Sequence, residues 1–161
     1  MDIQYRYSLK ATDKEKIKDL LFSTGFFHKY EIDVAVEIAE TTLEKGEEVA
    51  GYHFIIAEKN DKMLGFACFG KTPCTESSFD LYWIAVHKSD MNKGIGGILL
   101  EKSEQSVKNM NGTHFWIETS SRSIYLPTRR FYEKKGYIVE AELKDFYARD
   151  DNKLIFRKVI Q

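Results

Sequence analysis

The stretch Leu81-Tyr82-Trp83-Ile84-Ala85-Val86-His87-Lys88-Ser89-Asp90-Met91-Asn92-Lys93-Gly94-Ile95-Gly96-Gly97-Ile98-Leu99-Leu100 decides how the chain is read. Its opening, Leu81 to Val86, is the longest unbroken apolar run and continues a buried strand that starts at Phe79. A short polar loop follows. A helical pattern then runs from Ile95 to Met110, with apolar residues at Ile95, Ile98, Leu99 and Val107. Gly94, Gly96 and Gly97 crowd the start of that helix, where a glycine costs about 1 kcal/mol against alanine. A helix N-terminus carries unpaired N–H groups and partial positive charge, so it holds phosphates, and glycines let such a ligand approach the backbone. Lys93 adds a full charge beside it. A dinucleotide fingerprint would need glycine at position 99, where Leu99 stands, and the Gly-Lys-Ser/Thr of a Walker loop is absent. The bland use of the same residues is a tight turn that only caps a helix.

Outward from this stretch, Ile3 to Leu9 sets Ile3, Tyr5, Tyr7 and Leu9 against polar neighbours, the pattern of a half-buried strand. Thr12 with Glu15 has the form of a capping box for a helix with Ile17, Leu20 and Leu21 on its apolar side, ended by Gly25. A second helix is expected from about Ile32 to Lys45, apolar at Ile32, Val36, Ala39 and Leu43 and stopped by Gly46. Tyr52–Glu58 and Met63–Gly70 read as strands joined through Asn60-Asp61 in a hairpin. After the glycine-rich helix come a strand from Thr113 to Glu118 and a short helix from Thr128 to Lys135, closed by Gly136. Final strands lie near Tyr137–Phe146 and Leu154–Val159, with a polar turn, Asp145 to Asp151, connecting them. The order β-α-α-β-β-β-α-β-α-β-β makes an α/β (α+β) chain with a mixed, mostly antiparallel sheet of about seven strands and four helices.

At 161 residues the chain is expected to form one domain, residues 1–161, large enough to fold without a disulfide or metal staple. The formal net charge of −1 argues against a dedicated nucleic-acid binder. The charge is uneven: residues 1–80 carry ten basic and fifteen acidic side chains, net −5, and the remainder is net +4. That would suit an anionic ligand in the second half and a cationic one near the first, or reflect ordinary surface variation. Cys68 and Cys74 are too few for a disulfide framework, and no His/Cys cluster has metal-ligand spacing. The six residues Leu81–Val86 fall far short of the roughly 20 a membrane-spanning helix needs. Met1 to Lys10 has no apolar leader core, so a cytoplasmic protein is expected.

A second informative stretch is Tyr125-Leu126-Pro127-Thr128-Arg129-Arg130-Phe131-Tyr132-Glu133-Lys134-Lys135-Gly136-Tyr137. Together with the glycine turn it resembles the GNAT superfamily of acyl-CoA-dependent N-acetyltransferases. Gly94 and Gly96 match that family's Gln/Arg-x-x-Gly-x-Gly/Ala signature, with Met91 where Gln or Arg is usual. Phe131, Tyr132 and Gly136 fit its Asn-x-x-Ala-x-x-Phe-Tyr-x-x-x-Gly-Phe segment, with Tyr125 for the Asn and Thr128 for the Ala. The element order is also the family's. The resemblance implies acetyl-CoA as co-substrate and no metal. In that family the fourth and fifth strands splay, and the pantetheine arm pairs with the fourth. By resemblance, Ile84, Ala85 and Val86 would supply those backbone bonds, and Asn92, Lys93, Gly94, Ile95, Gly96 and Gly97 would hold the pyrophosphate. Thr128 is added to these contacts from the second motif.

An amine attacking a thioester must first lose a proton, since its pKa is near 10. Asp80 stands at the start of the fourth strand, where family members often place a catalytic Glu, and is the leading base. Glu118, ending the fifth strand, is its rival; either could instead be an exposed strand-end acid. Tyr132 occupies the family's general-acid position and would protonate the departing thiolate, unless it only packs beside Phe131. Neither cysteine has a His beside it in sequence to support an acyl-cysteine route. Phe26, Phe27 and His28 would line the acceptor site in this fold, or plug the sheet. Glu37, Glu40 and Glu44 could attract a basic acceptor but also fit a solvated helix face. The implied partner is a small amine or amino-acid-like metabolite. A protein acetyltransferase and a non-catalytic acyl-CoA sensor are the alternatives, and exposed edges of the final strands would suit a homodimer.

Overall fold

The computed structural model describes residues 2–161, so Met1, the first residue of the segment read as leaderless, lies outside it. The elements run β1 (Gln4–Arg6), α1 (Asp13–Thr24), α2 (Lys29–Lys45), α3 (Glu47–Ala50), β2 (His53–Lys59), β3 (Lys62–Lys71) and β4 (Ser78–Val86). They continue with α4 (Ile95–Asn109), β5 (His114–Ser120), α5 (Leu126–Lys134), β6 (Ile138–Ala148) and β7 (Asp151–Val159). The seven strands form one sheet in the order β1-β2-β3-β4-β5-β7-β6. The mixed sheet is as expected; a fifth helix, the one-turn α3, joins the four anticipated. No helix among the described residues is long and apolar enough to cross a membrane.

The chain packs as two compact units, the first running to Gly70 and taking in Trp83–Gln105. Its core gathers Ile17, Leu20 and Leu21 of α1, Ile32, Ala35 and Ala39 of α2, and Phe54, Ile56, Met63, Phe66, Cys68 and Ala85 of the strands. The β2–β3 hairpin turns at Asn60 and Asp61, both left-handed at φ 51° and 60°, the two-residue turn whose twist matches its strands. Gly65 of β3 has a packing reason: a Cβ there would come within 2.9 Å of the Ala85 carbonyl and 3.0 Å of Leu99 of α4.

Several local expectations for this unit are corrected. Thr12 makes no capping hydrogen bond, so the Thr12–Glu15 box does not form. Asp13 serves instead: fully buried, it accepts from the Lys10 amide at 2.7 Å and from the Arg6 guanidinium at 2.8 Å. Arg6 also holds Glu58 at 3.0 Å, and this bond keeps the Glu58 carboxyl below its ordinary range. β1 stops at Arg6, where those bonds tie it down, so Tyr7 is exposed rather than strand. α2 starts before Ile32 because Glu31 reaches back to accept the His28 amide at 2.7 Å. Its buried stripe is Ile32, Ala35, Ala39 and Thr42; Leu43 is exposed, and Thr42 satisfies its hydroxyl on the Ile38 carbonyl. On α4, Ile98 is exposed and Leu100 is buried in its stead.

The second unit comprises Lys71–Tyr82 and Ser106–Gln161. Here β4 pairs with β5 in parallel from Ser78↔His114 to Leu81↔Ile117, and β7 runs antiparallel to both β5 and β6. Phe79, Leu81, Val107, Phe115, Ile117, Tyr132, Tyr137 and Phe156 are its buried apolar residues. The segment read as a polar turn, Asp145–Asp151, is mostly strand. β6 reaches Ala148 through a shift in register at a left-handed Asp145, whose carboxylate accepts the Asp150 amide at 2.8 Å.

Candidate active site

In the first unit, β4 delivers the chain to the glycine turn. The His87 amide bonds the Leu64 carbonyl at 2.8 Å, and a single 3-10 turn, Lys88–Asp90, follows. Asn92 is left-handed at φ 62° and Gly94 at φ 82°; the Gly94 carbonyl then accepts the first helical bond, from Ile98, at 3.2 Å. Among the described residues, and beyond the two chain neighbours of Gly94, no heavy atom lies within 4 Å of where its Cβ would sit. Glycine is therefore required there by the backbone angle, and the space beside it is open. Asn92, Lys93 and Gly94 are exposed, Gly96 and Gly97 half-buried on the first helical turn, and Ile95 is turned into the core.

Asp90 organises this turn and escaped sequence reading. Nearly buried, its carboxylate accepts from Lys93 at 2.9 Å, Lys62 at 3.0 Å and Ser89 at 2.8 Å. The Lys93 bond leads in holding the Asp90 carboxyl well below the usual carboxylate range, against the cost of burial and with help from Ser89 and Lys62. The charge of Lys93 is thus shared with Asp90. Lys93 three residues on was the only sequence hint; nothing marked Lys62, which arrives from β3.

Ile84, Ala85 and Val86 lie beyond Leu81, the last β4 residue in register with β5. Ala85 is buried, Ile84 and Val86 half-buried. The three expected acceptor residues differ in exposure. Phe27 is partly buried in the core and meets Trp83 edge-on at 5.2 Å, Phe26 is half-buried, and His28 is exposed, stacked on Tyr30 at 5.3 Å. Glu37, Glu40 and Glu44 are all exposed, with Glu40 paired to Lys14 at 3.2 Å.

In the second unit, Asp80 sits half-buried on β4, opposite Trp116 in the β4–β5 register. The Thr72 hydroxyl donates to its Oδ2 at 2.7 Å. Burial pushes the Asp80 carboxyl above its ordinary value; the Thr72 bond opposes this, the Glu118 charge adds to it, and Lys153 opposes it. Glu118 has a different environment. Its Oε2 is 2.7 Å from the Lys153 ammonium, with Glu118 51% exposed against 12% for Lys153, whose charge also lies 4.2 Å over the Phe146 ring. β7 register pairs Glu118 with Ile155 and Ser120 with Lys153, so the ion pair is a diagonal one across neighbouring strands. The structure brings Asp80, Glu118, Lys153 and Thr72 together; the last two were not singled out in the sequence.

Tyr132 belongs to another set. It is buried on α5 among Phe131, Tyr137 and Phe156, ring centroids 5.4, 5.9 and 5.7 Å away, and burial pushes its hydroxyl well above the ordinary tyrosine value. Thr128 is half-buried at the start of the same helix. Among the described residues, no group of three or more His, Cys, Asp or Glu side chains is placed to hold a metal ion.

Residues 50–139, more than half of the chain, match the family model of the acetyltransferase (GNAT) domain. This chain belongs to the GNAT acetyltransferase family. The matched residues include the glycine turn, Asp80, Glu118 and Tyr132. The crystal structure of a Desulfovibrio desulfuricans protein assigned to the same family superposes with a TM-score of 0.97 at 40% identity, covering 99% of this chain and 100% of that one. The GNAT fold is shared more distantly. An aminoglycoside 6'-N-acetyltransferase complexed with coenzyme A gives a TM-score of 0.76 at 19% identity, covering 100% of this chain and 98% of that one. The ribosomal-protein-S18-alanine N-acetyltransferase of Escherichia coli gives 0.77 at 19%, covering 99% and 95%. No curated protein matches this acetyltransferase in sequence.

Proposed function

We propose that residues 1–161 form a single transferase domain that moves an acetyl group from acetyl-CoA to the primary amine of a small, amino-acid-like metabolite by direct attack. The observation that carries this reading is the open glycine turn at the start of α4, with Gly94 left-handed and nothing within 4 Å of its side-chain position. Backbone N–H groups from Asn92 to Gly97 would hold the pyrophosphate there, with Lys93 beside them. Among the described residues the β4–β5 register ends at Leu81, before Ile84, Ala85 and Val86, which supports their offering backbone groups to the pantetheine arm. Thr128 completes the proposed contacts.

Asp80 is the better base of the two carboxylates. A general base works best with a pKa near the operating pH, and burial moves Asp80 in that direction. Glu118 is held by Lys153 at 2.7 Å, so its charge is already partnered. In the proposed reaction Asp80 takes the proton from the amine, directly or through water, as the nitrogen bonds to the thioester carbonyl carbon. The carbon–sulfur bond then breaks, and the Tyr132 hydroxyl gives its proton to the departing sulfur. Asp80 releases its proton to water and Tyr132 regains one. Burial keeps the Tyr132 hydroxyl protonated but also weakens it as an acid toward the thiolate.

Phe26, with Phe27 behind it against Trp83, would contribute an apolar edge to the acceptor site, and exposed His28 a polar one. Fold neighbours act on an aminoglycoside and on an alanine of a ribosomal protein by their names, so both acceptor classes belong in the test. The test follows thiol release from acetyl-CoA across a panel of small amines and short peptides. Turnover with small amines supports the reading. Turnover with peptides alone would replace the acceptor, and binding of acetyl-CoA without turnover on any amine would turn it into a sensor.

A further inference from the structure

The loop between β3 and β4 carries a hydroxyl that meets the proposed base. Thr72 lies outside both motifs, yet its Oγ1 is 2.7 Å from Asp80 Oδ2. The loop does not need this bond to close. The Thr72 amide donates to the Ser78 carbonyl at 2.9 Å, and the Thr75 hydroxyl donates to the Thr72 carbonyl at 2.7 Å. Both use the backbone of Thr72 and leave its side chain to Asp80. Among the described residues, no other hydrogen bond reaches the Asp80 carboxylate, so Oδ1 stays available to take a proton.

We infer that Thr72 is a positioning residue: its hydroxyl anchors Oδ2 of Asp80, fixes the plane of the carboxylate and presents Oδ1 to the amine. The inference rests on Asp80 being the base. A hydrogen bond donated to the carboxylate favours the charged form, so it also keeps burial from protonating the base. The other groups that act on Asp80 are the Glu118 carboxylate of β5, which disfavours its charge, and the Lys153 ammonium of β7, which favours it. Thr72 is the uncharged member of this set, and the only one that bonds Asp80 directly.

The test compares Thr72→Val, isosteric but without the hydroxyl, with Thr72→Ser, which keeps it. In the free protein, the 13C resonance of the Asp80 carboxyl, assigned by its loss in Asp80→Asn, is followed with pH. In turnover, the acid limb of kcat/KM is followed over the same range. Loss of a hydrogen bond to a charged group should raise the Asp80 midpoint in Thr72→Val by about one pH unit and carry the acid limb up with it. Thr72→Ser should leave both near their wild-type positions. An unmoved Asp80 midpoint in a folded Thr72→Val protein overturns the role of Thr72 while leaving the base in place. A midpoint that moves while the acid limb stays, or an Asp80→Asn protein that keeps full activity, overturns the base itself and the inference with it.

Discussion

The glycine turn and the surroundings of Asp80 are built on opposite principles. The turn is consecutive chain: a strand end, a left-handed Asn92 and Gly94, and the first N–H groups of α4. The chemistry proposed for it is backbone chemistry, and it depends on what is missing, a side chain at Gly94. The surroundings of Asp80 are assembled from four separate pieces of sequence, Thr72, Asp80, Glu118 and Lys153, and there the Thr72 hydroxyl and the charges of Glu118 and Lys153 act on the protonation of Asp80. The lesson is that the proposed anion cradle can be written in a dozen adjacent letters, whereas the surroundings of the proposed base need the tertiary fold.

The contrast is broken most severely at Asp80. Asp80→Asn is expected to lower kcat/KM by about 10²- to 10⁴-fold, the usual worth of a general base, with acetyl-CoA affinity unchanged. Glu118→Gln should cost far less; the reverse ranking, measured by thiol release, would transfer the role to Glu118. At the turn, Gly94→Ala places an L-residue at φ 82° with open space around it. It should cost about 1–2 kcal/mol of stability through backbone strain alone. A thermal melt unchanged from wild type would show that the turn relaxes without penalty.

The smallest expected effect sharpens the comparison by finding one charge network inside the turn. The Asp90 carboxyl is held low by Lys93, Ser89 and Lys62. A group whose folded pKa is depressed adds stability that is present above its unfolded value, near 3.9, and lost as pH falls through the folded one. Its lysine partners are about half exposed, so screening limits the contribution to about 1 kcal/mol. Asp90→Asn should therefore melt a few degrees lower than wild type at neutral pH, with the gap narrowing below about pH 3. A gap that persists unchanged into acid would assign the loss to the 3-10 turn rather than to the charge.

Legibility followed the same division. The hairpin at Asn60-Asp61, the stop at Gly25 and the strand–turn–helix at Gly94 are local, because each depends on a few φ angles that nearby residue types dictate. Thr12 misled because a capping box competes with longer-range bonds; a buried Asp13 facing Arg6 won, and Arg6 also answers to Glu58. Leu43 misled because a helix face is set by what it packs against, and Thr42 met the core by satisfying its own hydroxyl within the helix. The aromatic run Phe26-Phe27-His28 leaves a lining of the acceptor site and a plug over the sheet both open in sequence; Phe26 and Phe27 are half-buried and His28 is exposed. For the candidate site, Asp80 and Glu118 were visible as strand-end acids. What separates them, Thr72 on one and Lys153 on the other, comes from a loop closure and a cross-strand diagonal that no spacing encodes.

The central claim is that the turn before α4 receives acetyl-CoA. Isothermal titration of the wild-type protein with acetyl-CoA, beside Gly94→Glu, tests it most directly. A carboxylate in the turn would repel the pyrophosphate and fill the open space. Saturable binding by the wild type that a folded Gly94→Glu protein loses is the expected result. No binding by the wild type at millimolar acetyl-CoA, or equal binding by both proteins, would contradict it.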